Sequence, residues 1–144
     1  MLILIKDKFE SSKGRWLAVK LSDILEVVEP VAHDLEWIVH HPDGVILNDW
    51  ASRFTIHDLD ADPPSVLSWK DVTILAKEIK HLTDITLDGF EPRSRVERIS
   101  KSPSALEPKM TICCFDASQW EISLNDSEIA NALVSRFRDV TVID

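Results

Sequence analysis

The sequence predicts one α+β domain spanning residues 1–144, with a mixed or antiparallel sheet and about three helices. A length of 144 residues suits a single domain with a sizeable core. Hydrophobic residues make up 44% and charged residues 28% of the chain, which is the balance of a globular protein rather than a disordered one. Short β-branched runs alternate with amphipathic helical patterns along the chain, so strands and helices are expected to share one core.

The N-terminal part of the chain predicts two strands and a helix. Met1–Ile5 and Trp16–Val19 are short apolar runs typical of strands, and the charged stretch between them predicts a turn or hairpin loop. Ser22 can cap a helix, which should end or kink at Glu29 because Pro30 disfavours helical geometry in the residue before it.

The next segment predicts a strand followed by a less regular stretch. Leu35–Val39 is the strand candidate, and the turn residues His41–Gly44 should stop it. Val45–Phe54 has two interpretations, a short helix capped by Asn48 or an irregular loop. Residues 57–64 predict a loop, because they end in two prolines that break both helix and sheet patterns.

Ser68 can cap a second helix, and Ile85–Phe90 then predicts a strand. The apolar stripe expected on that helix is Val72, Leu75, Ala76, Ile79 and Leu82. Arg95–Ile99 is a further strand candidate, followed by an exposed loop over residues 100–108.

The C-terminal unit is predicted to be strand, turn, strand, helix, strand. Met110–Phe115 is an apolar and β-branched run, and Trp120–Leu124 alternates apolar with polar residues. Asn125–Glu128 resembles a capping box, and residues 140–143 form the final strand. The helix should bury one stripe, formed by Ile129, Ala132, Leu133 and Phe137.

The two cysteines, Cys113 and Cys114, are neighbours in the predicted strand. Adjacent strand residues point to opposite faces, so a disulfide between them would require a distorted backbone. We therefore predict two reduced thiols, at least one of them in the core.

The net charge of −9 is concentrated in one third of the chain. Between Leu21 and Trp69 there are ten acidic residues and one basic residue, Arg53, whereas the remainder holds fifteen of each sign. An acidic field repels nucleic acid and anionic membranes and attracts a cationic protein. The alternative is that these carboxylates form a solvated face that maintains solubility.

The acidic third supplies the predicted partner-binding residues. Carboxylates are densest just before the two prolines, and a tryptophan exposed beside carboxylates would form a binding hot spot, although tryptophans more often lie in the core. The predicted set is Asp58, Asp60, Asp62, Glu36, Asp43, Asp49 and Trp50.

No catalytic motif, cofactor motif or recognised metal-ligand spacing occurs in the sequence. We therefore predict a protein without enzymatic activity, cofactor or metal. The enzyme alternative is a metal-dependent hydrolase that uses His57, Asp58 and Asp60. A third interpretation is an accessory or assembly protein whose exposed strands add to a partner's sheet.

The chain contains no apolar run approaching the roughly 18 residues of a membrane-spanning helix. The apolar run at residues 1–5 is too short for the core of a signal peptide. A cytoplasmic location is the expectation, and the oligomeric state is left open.

Residues 115–129, FDASQWEISLNDSEI, and the continuation through Phe137 to Val140 resemble the closing segment of several small bacterial immunity proteins. These proteins are cytoplasmic antidotes to polymorphic or contact-dependent toxins. The resemblance covers the last quarter of the chain and implies a small stoichiometric inhibitor without a catalytic site. Its expected partner is a cationic cognate toxin, with a nuclease as one possibility.

Overall fold

The structure, a computed structural model, describes residues 1–11, 14–17, 19–47, 55, 59, 64–92 and 107–144. These residues form an α+β fold, as predicted. In chain order the elements are β1 (Leu2–Ile5), β2 (Lys8–Ser11), β3 (Gly14–Leu17), α1 (Leu21–Ala32), β4 (Glu36–Asp43), β5 (Ile46–Leu47), β6 (Val66–Leu67), α2 (Trp69–Glu78), β7 (Ile79–His81), β8 (Asp84–Phe90), β9 (Met110–Phe115), β10 (Gln119–Leu124), α3 (Ser127–Arg136) and β11 (Val140–Ile143).

Seven strands form the main sheet in the order β11-β1-β10-β9-β8-β4-β6, and every neighbouring pair is antiparallel. The antiparallel alternative of the prediction is therefore correct for this sheet. The N-terminal strand β1 lies between β10 and β11, so both ends of the chain are held in one sheet. Two small ribbons, β2-β3 and β5-β7, stand apart from it.

One face of the main sheet carries the core. Ile3, Ile122, Ile112 and Leu87 follow one another across four adjacent strands, and all four are fully buried. All three helices contribute buried side chains to the same cluster, and α1 contacts both α2 and α3. Burial of an aliphatic side chain of this size stabilises the fold by about 1.5–3 kcal/mol. The helices therefore cover this inner face, and the opposite face is the outer one.

Helix α1 begins at Leu21, earlier than the cap predicted at Ser22, and it does not end at Glu29. The carboxylate of Asp23 accepts the N–H of Lys20 at 2.8 Å and so closes the first turn. The helix continues through Pro30 to Ala32 because Val28 and Ala32, both fully buried, anchor the last turn to the core.

Strand β4 continues past the predicted stop at His41. His41 has a φ of 50°, and the pairing with β8 shifts register between His40 and Asp43. This irregularity accommodates the extra residues as a bulge and lets Asp43 pair with Asp84. Gly44, with a φ of 61°, then provides the turn.

The predicted cap at Ser68 is confirmed, since its side chain accepts the N–H of Asp71. Helix α2 ends at Glu78, however, so Ile79 belongs to β7 rather than to the helical stripe. The charged segment predicted to be a turn or hairpin loop contains β2, which pairs with β3, and the strand predicted at Trp16–Val19 lies at Gly14–Leu17. Four predictions fall largely or wholly outside the described residues: the 48–54 part of the ambiguous stretch, the loop at 57–64, the strand at 95–99 and the loop at 100–108.

The C-terminal strand, strand, helix, strand unit is confirmed, with two corrections in the helix. Asp126 is its cap, accepting the N–H of Ile129 at 3.0 Å. The buried positions are Ile129, Ala130 and Leu133, whereas Ala132 is exposed, so the predicted stripe is wrong at that residue. The helix ends one residue before Phe137, which has an extended backbone and a half-buried side chain.

Among the tryptophans whose side chains are described, Trp37 and Trp120 are fully in the core. Trp69 is half-buried and packs against Trp37, with ring centroids 6.0 Å apart. The core interpretation is therefore confirmed for two tryptophans.

Both cysteines are free, as predicted, and Cys114 is buried on the inner face whereas Cys113 lies on the outer face. Burial, together with smaller contributions from neighbouring Cys113 and Asp84, raises the pKa of Cys114 to about 12. At pH 8 only on the order of one Cys114 in 10,000 is then the reactive thiolate. We expect iodoacetamide to alkylate Cys113 in the folded protein and both thiols after denaturation, measured by peptide mass spectrometry. Equal rates at the two positions in the native state would contradict this assignment.

Candidate interaction surface

The outer face of the four strands β4, β8, β9 and β10 is acidic. These strands hold five Asp or Glu residues and no Lys or Arg, a formal charge of −5 with histidine neutral. We call this surface the acidic sheet face. Its carboxylates are Glu36, Asp43, Asp84, Asp88 and Glu121.

The centre of the acidic sheet face is held by cross-strand hydrogen bonds. Thr111 Oγ1 donates to Asp88 Oδ1 at 2.7 Å, and His40 Nε2 lies 3.1 Å from Asp88 Oδ2. On the neighbouring strand, Gln119 Nε2 donates to Glu121 Oε1 at 2.7 Å. These bonds fix the carboxylates in place, so the negative charge has a defined position on the sheet.

Two carboxylates face each other at one end of the acidic sheet face. Asp43 and Asp84 are direct partners across β4 and β8, an arrangement in which like charges are unfavourable. Asp84 accepts the backbone N–H of Asp116 at 2.6 Å, and Asp43 is exposed. A cation placed between them would remove the repulsion. This pair is therefore a candidate contact point for a positive group on the sheet.

A groove of about 520 Å³ surrounds this pair, and we call it the Asp43–Asp84 groove. Phe115 borders it and is 65% exposed, the most exposed large apolar side chain in the described part of the chain. Carboxylates bind a Lys or Arg side chain electrostatically, and an aromatic ring binds the same cation through its face. The lining residues are His41, Pro42, Asp43, Asp84, Thr86, Cys113, Cys114 and Phe115.

The structure places two of the seven predicted partner-binding residues. Glu36 and Asp43 lie at opposite ends of β4 on the acidic sheet face, with Asp43 in the groove. Near Glu36 the outer face is covered, since Ile38 and Phe90 are 3% and 4% exposed although neither belongs to the inner core cluster. The other five predictions lie outside the described residues: Asp49, Trp50, Asp58, Asp60 and Asp62.

The acidic third of the chain is divided between two sides of the fold. Glu26 and Glu29 are exposed on α1, on the helical side, where Glu26 pairs with Arg136 at 3.2 Å. Glu36 and Asp43 lie on the opposite side, on the outer face of the sheet. Charge that is continuous in the sequence is therefore not one surface in the fold.

Sequence reasoning missed Asp84, Asp88, Glu121 and Phe115, because they lie outside the acidic third. A signal for three of them was present. Ile85 and Leu87 alternate with polar residues in β8, and apolar residues flank Glu121 in β10, so each pattern places its carboxylates on the face away from the core. Only the antiparallel pairing of these strands brings them beside β4.

Neither a metal-binding group nor a membrane-spanning helix is present within residues 1–11, 14–17, 19–47, 55, 59, 64–92 and 107–144. No three His, Cys, Asp or Glu residues in those ranges are grouped to hold a metal ion. None of the helices there is long and apolar enough to cross a membrane. His57, Asp58 and Asp60 of the hydrolase alternative lie outside them.

Comparison of the chain with protein-family models, with curated proteins and with solved structures found no match. The function of the acidic sheet face is therefore inferred from its own residues.

Proposed function

We propose that this protein is an immunity-type inhibitor that binds and neutralises a cationic cognate toxin in the cytoplasm. The observation that supports it is the acidic sheet face, which carries five carboxylates and no Lys or Arg on four adjacent strands. A binding protein of this kind needs a surface complementary in charge to its partner. It needs no catalytic group.

The Asp43–Asp84 groove supplies the proposed contact point. A Lys or Arg side chain of the toxin would lie between Asp43 and Asp84, with its stem or guanidinium group against Phe115. An exposed aromatic residue next to paired carboxylates combines apolar burial on binding with charge recognition, the combination found at interface hot spots. The surrounding carboxylates would act at longer range and accelerate the encounter.

The change Asp43→Asn with Phe115→Ala is expected to weaken toxin binding about 10–100-fold, because it removes a charge and an aromatic contact from one site. The probes are purified bacterial toxin domains with isoelectric points above about 9, nucleases among them. Binding is measured by surface plasmon resonance, and toxin inhibition by a nuclease assay. The association rate of the unmodified protein should fall as salt is added.

A matched control removes the same chemistry from the helical side. Glu29→Gln with Val134→Ala deletes one exposed carboxylate and one exposed apolar side chain there, and Val134 is 44% exposed. This variant should bind as the unmodified protein does. Equal losses in the two variants, or no inhibition of any toxin domain, would contradict the proposal.

A third variant, Asp58→Asn with Asp60→Asn and Asp62→Asn, tests the carboxylates that the sequence placed first. If this variant loses binding while the groove variant retains it, the contact lies at residues 58–62 and not on the acidic sheet face.

Thermal melting with and without divalent metal, before and after chelation, tests the hydrolase alternative. A metal-induced rise of several degrees would favour that alternative, since a ligand bound only by the native state stabilises it.

A further inference from the structure

A cavity of about 650 Å³ lies on a different part of the molecule from the acidic sheet face. It is bounded by the first turn of α1, the end of α2 with β7, and β10. Small-molecule sites generally have volumes of about 300–1,000 Å³, so this cavity is large enough for one small ligand. We call it the lysine cavity, and its lining residues are Val19, Lys20, Leu21, Ser22, Ala76, Lys77, Ile79, Lys80, His81, Leu82, Ala117 and Trp120.

The interior wall of the lysine cavity is apolar. Trp120 lines it, and its indole Nε1 already donates to the carbonyl oxygen of Val19 at 2.9 Å. The polar end of this side chain is therefore satisfied within the protein, and its ring, which is only 2% exposed, supports the apolar wall from behind. Leu21, Ile79 and Leu82 extend this apolar wall.

The charged residues that the structure describes in the lining of the lysine cavity are basic. Lys20, Lys77 and Lys80 line it together with His81, and no carboxylate is among its described lining residues. This is the reverse of the chain as a whole, which has a net charge of −9. The positive charge at this cavity is thus a local property and does not follow from composition.

The first turn of α1 adds to the same field. Helix N-terminal N–H groups point towards the end of the helix and favour negative charge there, and Leu21 and Ser22 are the first two residues of this 12-residue helix. The acidic group in that turn is Asp23, whose carboxylate is engaged by the N–H of Lys20. The lysine side chains remain the dominant charges at the cavity.

We propose that the lysine cavity binds a small amphipathic anion, with an apolar body against Ile79 and Leu82 and a carboxylate, sulfonate or phosphate group at the lysines. Apolar walls with one convergent charged group are the usual composition of small-molecule sites. This site is separate from the Asp43–Asp84 groove and does not rest on the proposed inhibitor function.

The probe that tests this inference is 8-anilinonaphthalene-1-sulfonate, an aromatic anion whose fluorescence rises in apolar surroundings. We expect one saturable site per chain, energy transfer from tryptophan to the probe, and weaker binding at high salt. The neutral analogue N-phenyl-1-naphthylamine shares the apolar body and should bind more weakly and without salt dependence. Inorganic phosphate, which lacks the apolar body, should not compete at concentrations near those of the probe.

Two variants locate the site. Lys20→Gln with Lys80→Gln should weaken the anionic probe about tenfold and leave the neutral analogue unchanged. Ser22→Trp should fill the cavity and abolish binding of both probes. The matched control is Lys6→Gln with Lys70→Gln, which removes two exposed lysines that do not line the cavity and should have no effect. Circular dichroism confirms that each variant is folded.

Three results would overturn the inference: no saturable binding of the sulfonate, equal losses in the cavity and control lysine variants, or unchanged binding in Ser22→Trp. Each of these results would mean that the probe binds apolar surface non-specifically or does not bind. A tenfold loss confined to the cavity variants would establish the site.

Discussion

Replacing Leu133 with alanine is expected to lower the free energy of unfolding by about 3–4 kcal/mol. Leu133 is fully buried where α3 packs on the sheet, so the substitution leaves a cavity that the surrounding core cannot close completely. Urea titration followed by tryptophan fluorescence measures the change, with the slope of the transition checked for two-state behaviour.

Two positions on the same segment provide the controls. Phe137→Ala should cost less, about 1–2 kcal/mol, because Phe137 is only half-buried beyond the end of α3. Ala132→Ser should change stability by less than about 0.5 kcal/mol, because Ala132 is exposed. A loss below about 1 kcal/mol for Leu133→Ala, or a larger loss at Phe137, would show that α3 packs through a different stripe.

Replacing Gly89 with alanine is expected to destabilise the protein by about 2 kcal/mol. A Cβ atom at Gly89 would lie 2.9 Å from Cη2 of Trp37 and 3.0 Å from Cδ1 of Leu35. Glycine to alanine in a strand ordinarily gains about 0.5–1 kcal/mol. Overpacking should outweigh that gain, because Trp37 is completely buried and has no room to move. Differential scanning calorimetry would report the effect as a lower melting temperature.

A double-mutant cycle isolates the contact between these residues. Trp37→Phe removes the two Trp37 ring atoms that a Cβ at Gly89 would meet and leaves only the contact with Cδ1 of Leu35, so Gly89→Ala should cost less in that background. The indole Nε1 of Trp37 has no hydrogen-bond partner among the described residues, so phenylalanine should lose packing there rather than a hydrogen bond. The same cost for Gly89→Ala in both backgrounds would show that the alanine is excluded for another reason.

Charge counted along the chain identifies only part of the acidic sheet face. Glu36 and Asp43 were identified from the acidic third, and they do lie on the acidic sheet face. Asp84 was not identified, since its segment is electrically balanced, yet it is the direct neighbour of Asp43. Phe115 was assigned to the end of a strand, and its exposure beside two carboxylates could be known only from the fold.

The sequence by itself determined the features that depend on local patterns. Alternation in β8 and β10, the cap at Ser68 and the C-terminal order of elements all arise from neighbouring residues, so a short window contains the necessary information. The adjacency of Cys113 and Cys114 likewise decided their opposite faces.

Only the tertiary structure decided features that depend on distant contacts. Helix α1 continues through Pro30 because core packing on either side of it outweighs the local preference, and α2 ends early because Ile79 pairs in a strand instead. The Asp43–Asp84 groove and the lysine cavity each join residues more than 35 positions apart. Their chemistry comes from strand pairing and helix packing, which bring together groups that no local pattern relates.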